Sequence, residues 1–236
     1  MLLLATDLDG TFLGGSPADR TGLYEWIRLQ HELRLVFVTG RGLPSVQPLL
    51  DDPAIPNPDY IICDVGATIV HGHNLLPVQP VQAAIEKKWP GQELVRMRME
   101  QVAGLRYQEV PQQRRCSFYY DDTTAIDVAV QIATELECDV IQSAGRFLDI
   151  MPAGVNKGST LVQLITQLNY PAGKVLVAGD TMNDRSLYDA GFRGVVVGAA
   201  EPALLQYTLH HTHVLQSPKP GAAGIMDGIH WFNGNK

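Results

Sequence analysis

Apolar residues fall in short, nearly unbroken runs: Leu2 to Thr6, Leu35 to Thr39, Tyr60 to Asp64, Lys174 to Gly179 and Gly194 to Gly198, each closing on Gly, Asp or Thr. Runs of this length, apolar at successive positions, predict strands buried on both faces. Between most of them the apolar spacing is helical, as from Thr21 to Leu33 and from Gly158 to Leu168. Strands alternating with helices predict an α/β fold, a Rossmann-like parallel sheet with helices on both sides.

The stretch from Pro77 to Pro152 has another rhythm. It reads as a helix near Val81 to Trp89, strands near Leu105 to Val110 and Cys116 to Tyr120, a helix near Thr123 to Glu137, and strands at Asp139 to Ser143 and Phe147 to Met151. Helix, strand, strand occurs twice, which predicts a small α+β domain with a mainly antiparallel sheet. Pro and Gly punctuate both flanks, as linkers require. The expected division is a core of residues 1–77 and 153–236 and an inserted domain of residues 78–152.

Composition narrows the class. The chain has 236 residues, 45% of them hydrophobic and 18% charged, which excludes a disordered or fibrous protein. A net charge of -7 argues against nucleic acid as partner, because phosphate contacts need clustered Lys and Arg. Asp7 and Asp9 interrupt the apolar start before it could serve as an export signal, and no run of about 18 apolar residues could span a bilayer. Cys63, Cys116 and Cys138 are odd in number and lack metal or redox spacing, so they read as reduced thiols. These features predict a cytoplasmic protein, with no membrane partner, acting on small molecules.

The chemistry gathers where strands end. Asp7-Leu8-Asp9-Gly10-Thr11 follows the first strand, and alternation would put Asp7 and Asp9 on one side of an extended chain, where open α/β sheets bind ligands. Paired carboxylates suit Mg²⁺, and with it Asp7 could attack phosphorus while Asp9 protonates the leaving oxygen; a solvated Asp-Gly turn is the plainer alternative. Thr39-Gly40-Arg41 ends the second run with a hydroxyl, an accessible N–H and a guanidinium, all phosphate ligands, though a Thr-Gly turn is also common at strand ends. Lys157 stands at a helix start, where a lone lysine is ordinarily a solvated charge. Gly179-Asp180-Thr181-Met182-Asn183-Asp184 adds two acids and an amide beside another strand, in a pattern that would equally cap a helix.

Taken together, Asp7-Leu8-Asp9-Gly10-Thr11, Thr39, Lys157 and Gly179-Asp180 through Asn183-Asp184 resemble the four motifs of the haloacid dehalogenase superfamily of phosphotransferases, in the same order. The resemblance implies Asp7 as nucleophile, Asp9 as general acid and base, and Thr39 and Lys157 as holders of the phosphoryl group. It also implies Mg²⁺ bound by the Asp7 carboxylate, the Asp9 backbone carbonyl and Asp180, with Asp184 counted in the metal site and Asn183 supporting it. The insertion looks like a C2B-type cap, and the chain is most similar to the sucrose-phosphate phosphatase group, through Asp64-Val65-Gly66-Ala67-Thr68 and Asp149-Ile150-Met151-Pro152 leading to Asn156-Lys157-Gly158.

That likeness implies a monomeric or weakly dimeric phosphatase acting on a phosphorylated sugar or glycoside, such as sucrose phosphate, mannosylfructose phosphate or a glycosyl phosphoglycerate. The substrate contacts expected are Gly40, Arg41, Gly66, Ala67, Arg115, Asp149, Asn156 and Asn183, with Arg114 and Tyr119 as further cap candidates; for the cap residues an ordinary sheet surface is an equal alternative. Thr68 departs from the group, whose members tend to be acidic there, and this speaks against sucrose phosphate itself. A phosphohexomutase and a non-catalytic sugar-phosphate sensor are the rival functions. His71, His73, His210, His211 and His213 lack metal-site spacing and read as surface residues, and Pro218 to Gly224 reads as a loop before a short last helix.

Overall fold

The structure is a computed structural model and describes residues 2–234. Seven strands form the main sheet: β1 (Leu2–Thr6), β2 (Leu33–Val38), β3 (Tyr60–Cys63), β4 (Thr68–His71), β9 (Val175–Gly179), β10 (Arg193–Gly198) and β11 (Val214–Pro220). Their order is β11-β10-β9-β1-β2-β3-β4, parallel except for β4, which returns antiparallel to β3. The five strands expected from the apolar runs are all present. β11 carries Pro218 and Pro220, and its edge position is the one where missing N–H donors are tolerated. The expected Pro218 to Gly224 loop is therefore corrected: the strand runs to Pro220 and passes straight into α9 (Gly221–Gly234).

Side-chain alternation splits the strands between two cores. Leu3, Ala5, Val36, Val38, Val175 and Val177 face one layer, where α6 (Lys157–Gln167) contributes Leu161, Leu164 and Ile165. Leu4, Leu35, Phe37, Leu176 and Ala178 face the other, packed by Leu23, Tyr24 and Ile27 of α1 (Pro17–Arg28) and by Ile225, Ile229 and Phe232 of α9. α1 begins earlier than expected because Ser16 and Asp19 form a reciprocal capping box with Pro17 in the first turn. α2 (Leu43–Leu50), α7 (Arg185–Asp189) and α8 (Pro202–Thr208) also pack on the main sheet.

A second sheet, in the order β5-β6-β8-β7, is antiparallel throughout: β5 (Arg106–Tyr107), β6 (Cys116–Tyr119), β7 (Cys138–Ser143) and β8 (Phe147–Pro152). Its helices are α4 (Gln92–Met99) and α5 (Ile126–Glu135), which bury Val95, Met99, Ala129, Ile132 and Ala133 against Phe118, Leu148 and Ile150. The helix expected to open this unit, α3 (Val81–Glu86), packs elsewhere: Val78, Val81 and Ile85 join the cluster on the main sheet. The first helix on the small sheet is instead α4, whose pattern is blurred by the exposed Leu94 and Met97.

Candidate active site

β9, β1 and β2 are neighbours at the middle of the main sheet, and their carboxyl ends deliver Asp180, Asp7 and Thr39 to one place. The chain does not stay extended past β1. Asp7 N–H donates to Ala178 O at 2.9 Å, and the segment Leu8–Phe12 coils tightly, with Gly10 at φ +78°. A Cβ on Gly10 would lie 2.3 Å from Asp180 Oδ2, so this position requires glycine twice over, for its dihedral and for its space.

Lys157 organises the acids. Asn156 caps α6 by accepting from Ser159 N at 2.8 Å, while Ser159 Oγ accepts from Asn156 N at 3.0 Å, and this box fixes Lys157 in the first turn. The lysine is wholly buried, and its Nζ donates to Asp7 Oδ1 at 2.7 Å, Asn183 Oδ1 at 2.7 Å and Asp184 Oδ1 at 2.6 Å. The other Asp184 oxygen accepts the N–H groups of Asp180 (2.9 Å) and Thr181 (3.1 Å). Thr11 Oγ1 donates to Asp180 Oδ1 at 2.6 Å. Gly179 gives Asp184 its space, since a Cβ there would lie 2.5 Å from Asp184 Cγ.

Asp7 and Asp184 bond one ammonium, Asp180 lies close by, and two of these acids hold their protons more firmly than a free carboxyl. Burial pushes Asp7 up to about 8; Lys157 opposes this, and Asp184 adds to it. Burial also raises Asp180 to about 6 against the Thr11 hydrogen bond. For Lys157, burial alone would lower the pKa, but Asp184 and Asp7 outweigh it and hold the side chain charged.

Asp7, Asp180 and Asp184 can each offer an oxygen such that all three atoms lie within 4.8 Å of one another. Both oxygens of Asp184 are already engaged, whereas Asp7 Oδ2 and Asp180 Oδ2 accept no hydrogen bond among the described residues. Two hard oxygens left open beside excess negative charge suit a small divalent cation such as Mg²⁺. Asp184 belongs to the same cluster and positions the lysine, its Oδ1 accepting one hydrogen bond and its Oδ2 two. The Asp9 carboxylate stands outside this cluster: it is 61% exposed, and Arg41 grips it through Nε at 2.8 Å and through a second nitrogen. Only its backbone carbonyl remains as the atom the resemblance assigned to the ion.

A cavity of about 370 Å³ opens above these groups, between the two sheets. Of the expected residues, Asp7, Asp9, Gly40, Arg41, Arg115, Asp149 and Asn183 line it. Thr39 lies just beneath, buried, with its hydroxyl accepting from Arg41 N at 3.1 Å. Gly66 and Ala67 do not line the cavity: the Gly66 carbonyl accepts from Thr160 Oγ1 at 2.8 Å, its Cα face abuts the Asn156 backbone, and Ala67 is in the core. Asn156 serves as the α6 cap, Arg114 pairs with Glu86, and the Tyr119 ring lies tilted against Phe147 on the small sheet. Thr68 is also away from the cavity, donating to buried Asp64 at 2.8 Å, so its departure from the group removes no carboxylate from this wall.

The sequence reading missed Ser45, Gln108, Val110, Pro111, Ser143, Phe147 and Thr181. Ser143 and Phe147 flank the β7–β8 turn, and Gln108 to Pro111 follow β5; turn residues around Pro111 and Gly145 were the available signal. The five histidines of the two groups contribute to no metal cluster among the described residues; His211 stacks on His213, and His213 Nε2 lies 3.1 Å from Tyr188 O. No described helix is long and apolar enough to cross a membrane.

Residues 1–233 match the family model described as sucrose-6F-phosphate phosphohydrolase. The chain is 50% identical to glucosylglycerol-phosphate synthase of Pseudomonas anguilliseptica over 98% of its own length and 31% of that protein. It is 32% identical to mannosylfructose-phosphate phosphatase of Agrobacterium fabrum, covering 97% of this chain and 96% of the other. It therefore spans about a third of the first relative and nearly all of the second. The sucrose-phosphatase of Synechocystis sp. PCC6803, solved with sucrose and phosphate, superposes with a TM-score of 0.86 at 26% identity, covering 98% of each chain.

Proposed function

From its membership of the sucrose-6F-phosphate phosphohydrolase family, which makes the chain a phosphomonoester hydrolase of the haloacid dehalogenase superfamily, we propose a Mg²⁺-dependent phosphatase for a glycosylglycerol phosphate. One observation carries the choice of substrate: half the residues are shared, across nearly the whole chain, with part of a protein named as a glucosylglycerol-phosphate synthase. On this reading the phosphorylated product of such a synthase is the substrate of this chain. The reaction that supplies it is glycosyl transfer to a phosphorylated polyol.

The residues divide the work. Asp7 attacks phosphorus, forming an aspartyl phosphate as the bond to the alcohol oxygen breaks, and Asp9 gives that oxygen its proton. Water then attacks the same phosphorus, Asp9 takes a proton back, and phosphate leaves with Asp7 restored. Thr39 and the Gly40 N–H hold the phosphoryl oxygens, while Lys157, its three N–H groups given to Asp7, Asn183 and Asp184, supplies positive charge beside them and is kept charged and in place by Asp184. Asp7 and Asp180 would hold Mg²⁺, which when bound neutralises phosphoryl charge. Before it can act as an acid, Asp9 must take up a proton and leave Arg41, whose own position is fixed by Ser45 O at 3.3 Å. Arg115, Asp149, Gln108 and Ser143 face the alcohol portion with donors and acceptors suited to sugar hydroxyls.

The test is phosphate release with Mg²⁺ from glucosylglycerol phosphate, mannosylfructose phosphate, sucrose 6-phosphate and simple hexose phosphates. The expected result is the highest kcat/KM for glucosylglycerol phosphate. A higher value for any other member of the panel would overturn the substrate assignment.

A further inference from the structure

The loop between β5 and β6 forms part of the upper wall of the cavity; Arg114 ties it to Glu86 and Thr68 away from the cavity, and two further contacts seat it on the main domain beside the site. At the first, Pro111 sits on Gly42 so closely that a Cβ on residue 42 would meet Pro111 O at 1.6 Å. At the second, the Arg115 guanidinium faces the Asp64 carboxylate with N and O 4.0 Å apart.

Both members of this second contact are buried, and both are incompletely bonded: among the described residues Asp64 Oδ1 and Arg115 Nε have no hydrogen-bond partner. Arg115 reaches Asp149 at 3.4 Å, and Asp64 is held by Thr68 at 2.8 Å, so each keeps one firm partner on its own side of the gap. The groups that offset the Asp64 charge from across the gap are Arg115, Arg114 and the Gln113 N–H, all from the same loop. Buried charges without full hydrogen bonding are costly, and a short further approach of the two domains would pair them. Asp64 is also tied to the phosphoryl site, because its N–H donates to Arg41 O at 2.9 Å and Val65 N–H donates to Thr39 O at 3.1 Å.

We infer that Asp64 is a positioning residue: it seats residues 108–115 over the cavity through Arg115, so that closure on a bulky substrate aligns the upper wall with the Thr39–Arg41 loop. The inference rests on the phosphatase reading for its kinetic consequence but not for the seating itself. It expects Asp64 to matter for substrates large enough to touch the loop and not for phosphoryl chemistry as such.

The experiment compares wild type with Asp64→Asn, Arg115→Gln, the double variant and Gly42→Ala. Hydrogen–deuterium exchange of residues 108–115 is expected to quicken at least tenfold in Asp64→Asn and in Gly42→Ala, the latter leaving both charges in place. In Asp64→Asn, kcat/KM for glucosylglycerol phosphate is expected to fall at least tenfold, while hydrolysis of acetyl phosphate stays within twofold of wild type. The double variant should be no worse than the poorer single variant. Unchanged exchange, equal losses on both substrates, or multiplicative losses in the double variant would overturn the inference. A wild-type protein that hydrolyses neither substrate would refute the phosphatase reading instead, and exchange alone would then decide the seating.

Discussion

Lys157 and Asp184 form a fully buried ion pair, with Nζ 2.6 Å from Oδ1, and the second Asp184 oxygen ties down the Asp180 and Thr181 N–H groups. One carboxylate thus holds both Lys157 and the loop that carries Asp180. Asp184→Asn keeps the size but would turn an amide donor against either those N–H groups or the lysine. Breaking a buried pair in this way costs about 3–5 kcal/mol. The expected outcome is a marked fall in Tm by calorimetry and a kcat lowered by at least about a hundredfold; a near-native Tm would contradict the network.

Asp7→Asn tests the covalent step. It replaces the proposed nucleophile, whose charged form burial already disfavours, by an amide of the same size, so turnover should vanish while Tm holds or rises. Trapping of phosphate on the protein, read by intact mass after rapid quenching, should be seen in wild type and lost in the variant. Asp9→Asn should lower kcat severely and leave Arg41 without its paired carboxylate.

Gly10 and Gly191 share a φ of +78°, but only Gly10 has another residue's atoms where a Cβ would go. Alanine at 191 should cost only the dihedral strain, about 1–2 kcal/mol. Alanine at 10 must also displace Asp180, so its Tm should fall further and its activity at least tenfold. Equal effects in thermal unfolding and turnover would mean that the Gly10–Asp180 contact is unimportant.

Protonation and cation binding compete at the acid cluster. Asp7 near 8 and Asp180 near 6 both lie above the value of about 4 for an unfolded carboxyl. Between those limits the folded chain binds protons that the unfolded chain has released, so without a cation these two groups favour folding less as pH rises. Mg²⁺ needs them ionised, so its binding is stronger where fewer protons must leave. The rise in Tm caused by excess Mg²⁺ should therefore be larger at pH 8 than at pH 6. Equal rises in scanning fluorimetry would argue against an ion between Asp7 and Asp180.

Strands and catalytic groups were legible in the sequence for one reason: buried parallel strands must be apolar, and the polar residues that interrupt them stand at their ends. Asp7, Thr39 and Asp180 are of this kind. Asp9 also reaches the cavity, but not by alternation, which stops where the chain coils at Leu8–Phe12 and turns its carboxylate to Arg41. α3 was recognised as a helix but given the wrong neighbour, since Val81 and Ile85 make the same i, i+4 stripe whichever sheet they cover. Gln108 and Ser143 could not be found at all, because their place on the cavity wall depends on how the two sheets face each other, which no local pattern records.

The acids beneath the cavity are held in place by glycines pressed against them, Gly10 on Asp180 and Gly179 on Asp184, whereas much of the upper wall is two loop tips, 108–111 and 143–147. Heritable change is consequently confined on one side and free on the other. A descendant can acquire a taste for a different alcohol by altering a few tip residues, with the machinery that severs the phosphate ester left untouched beneath.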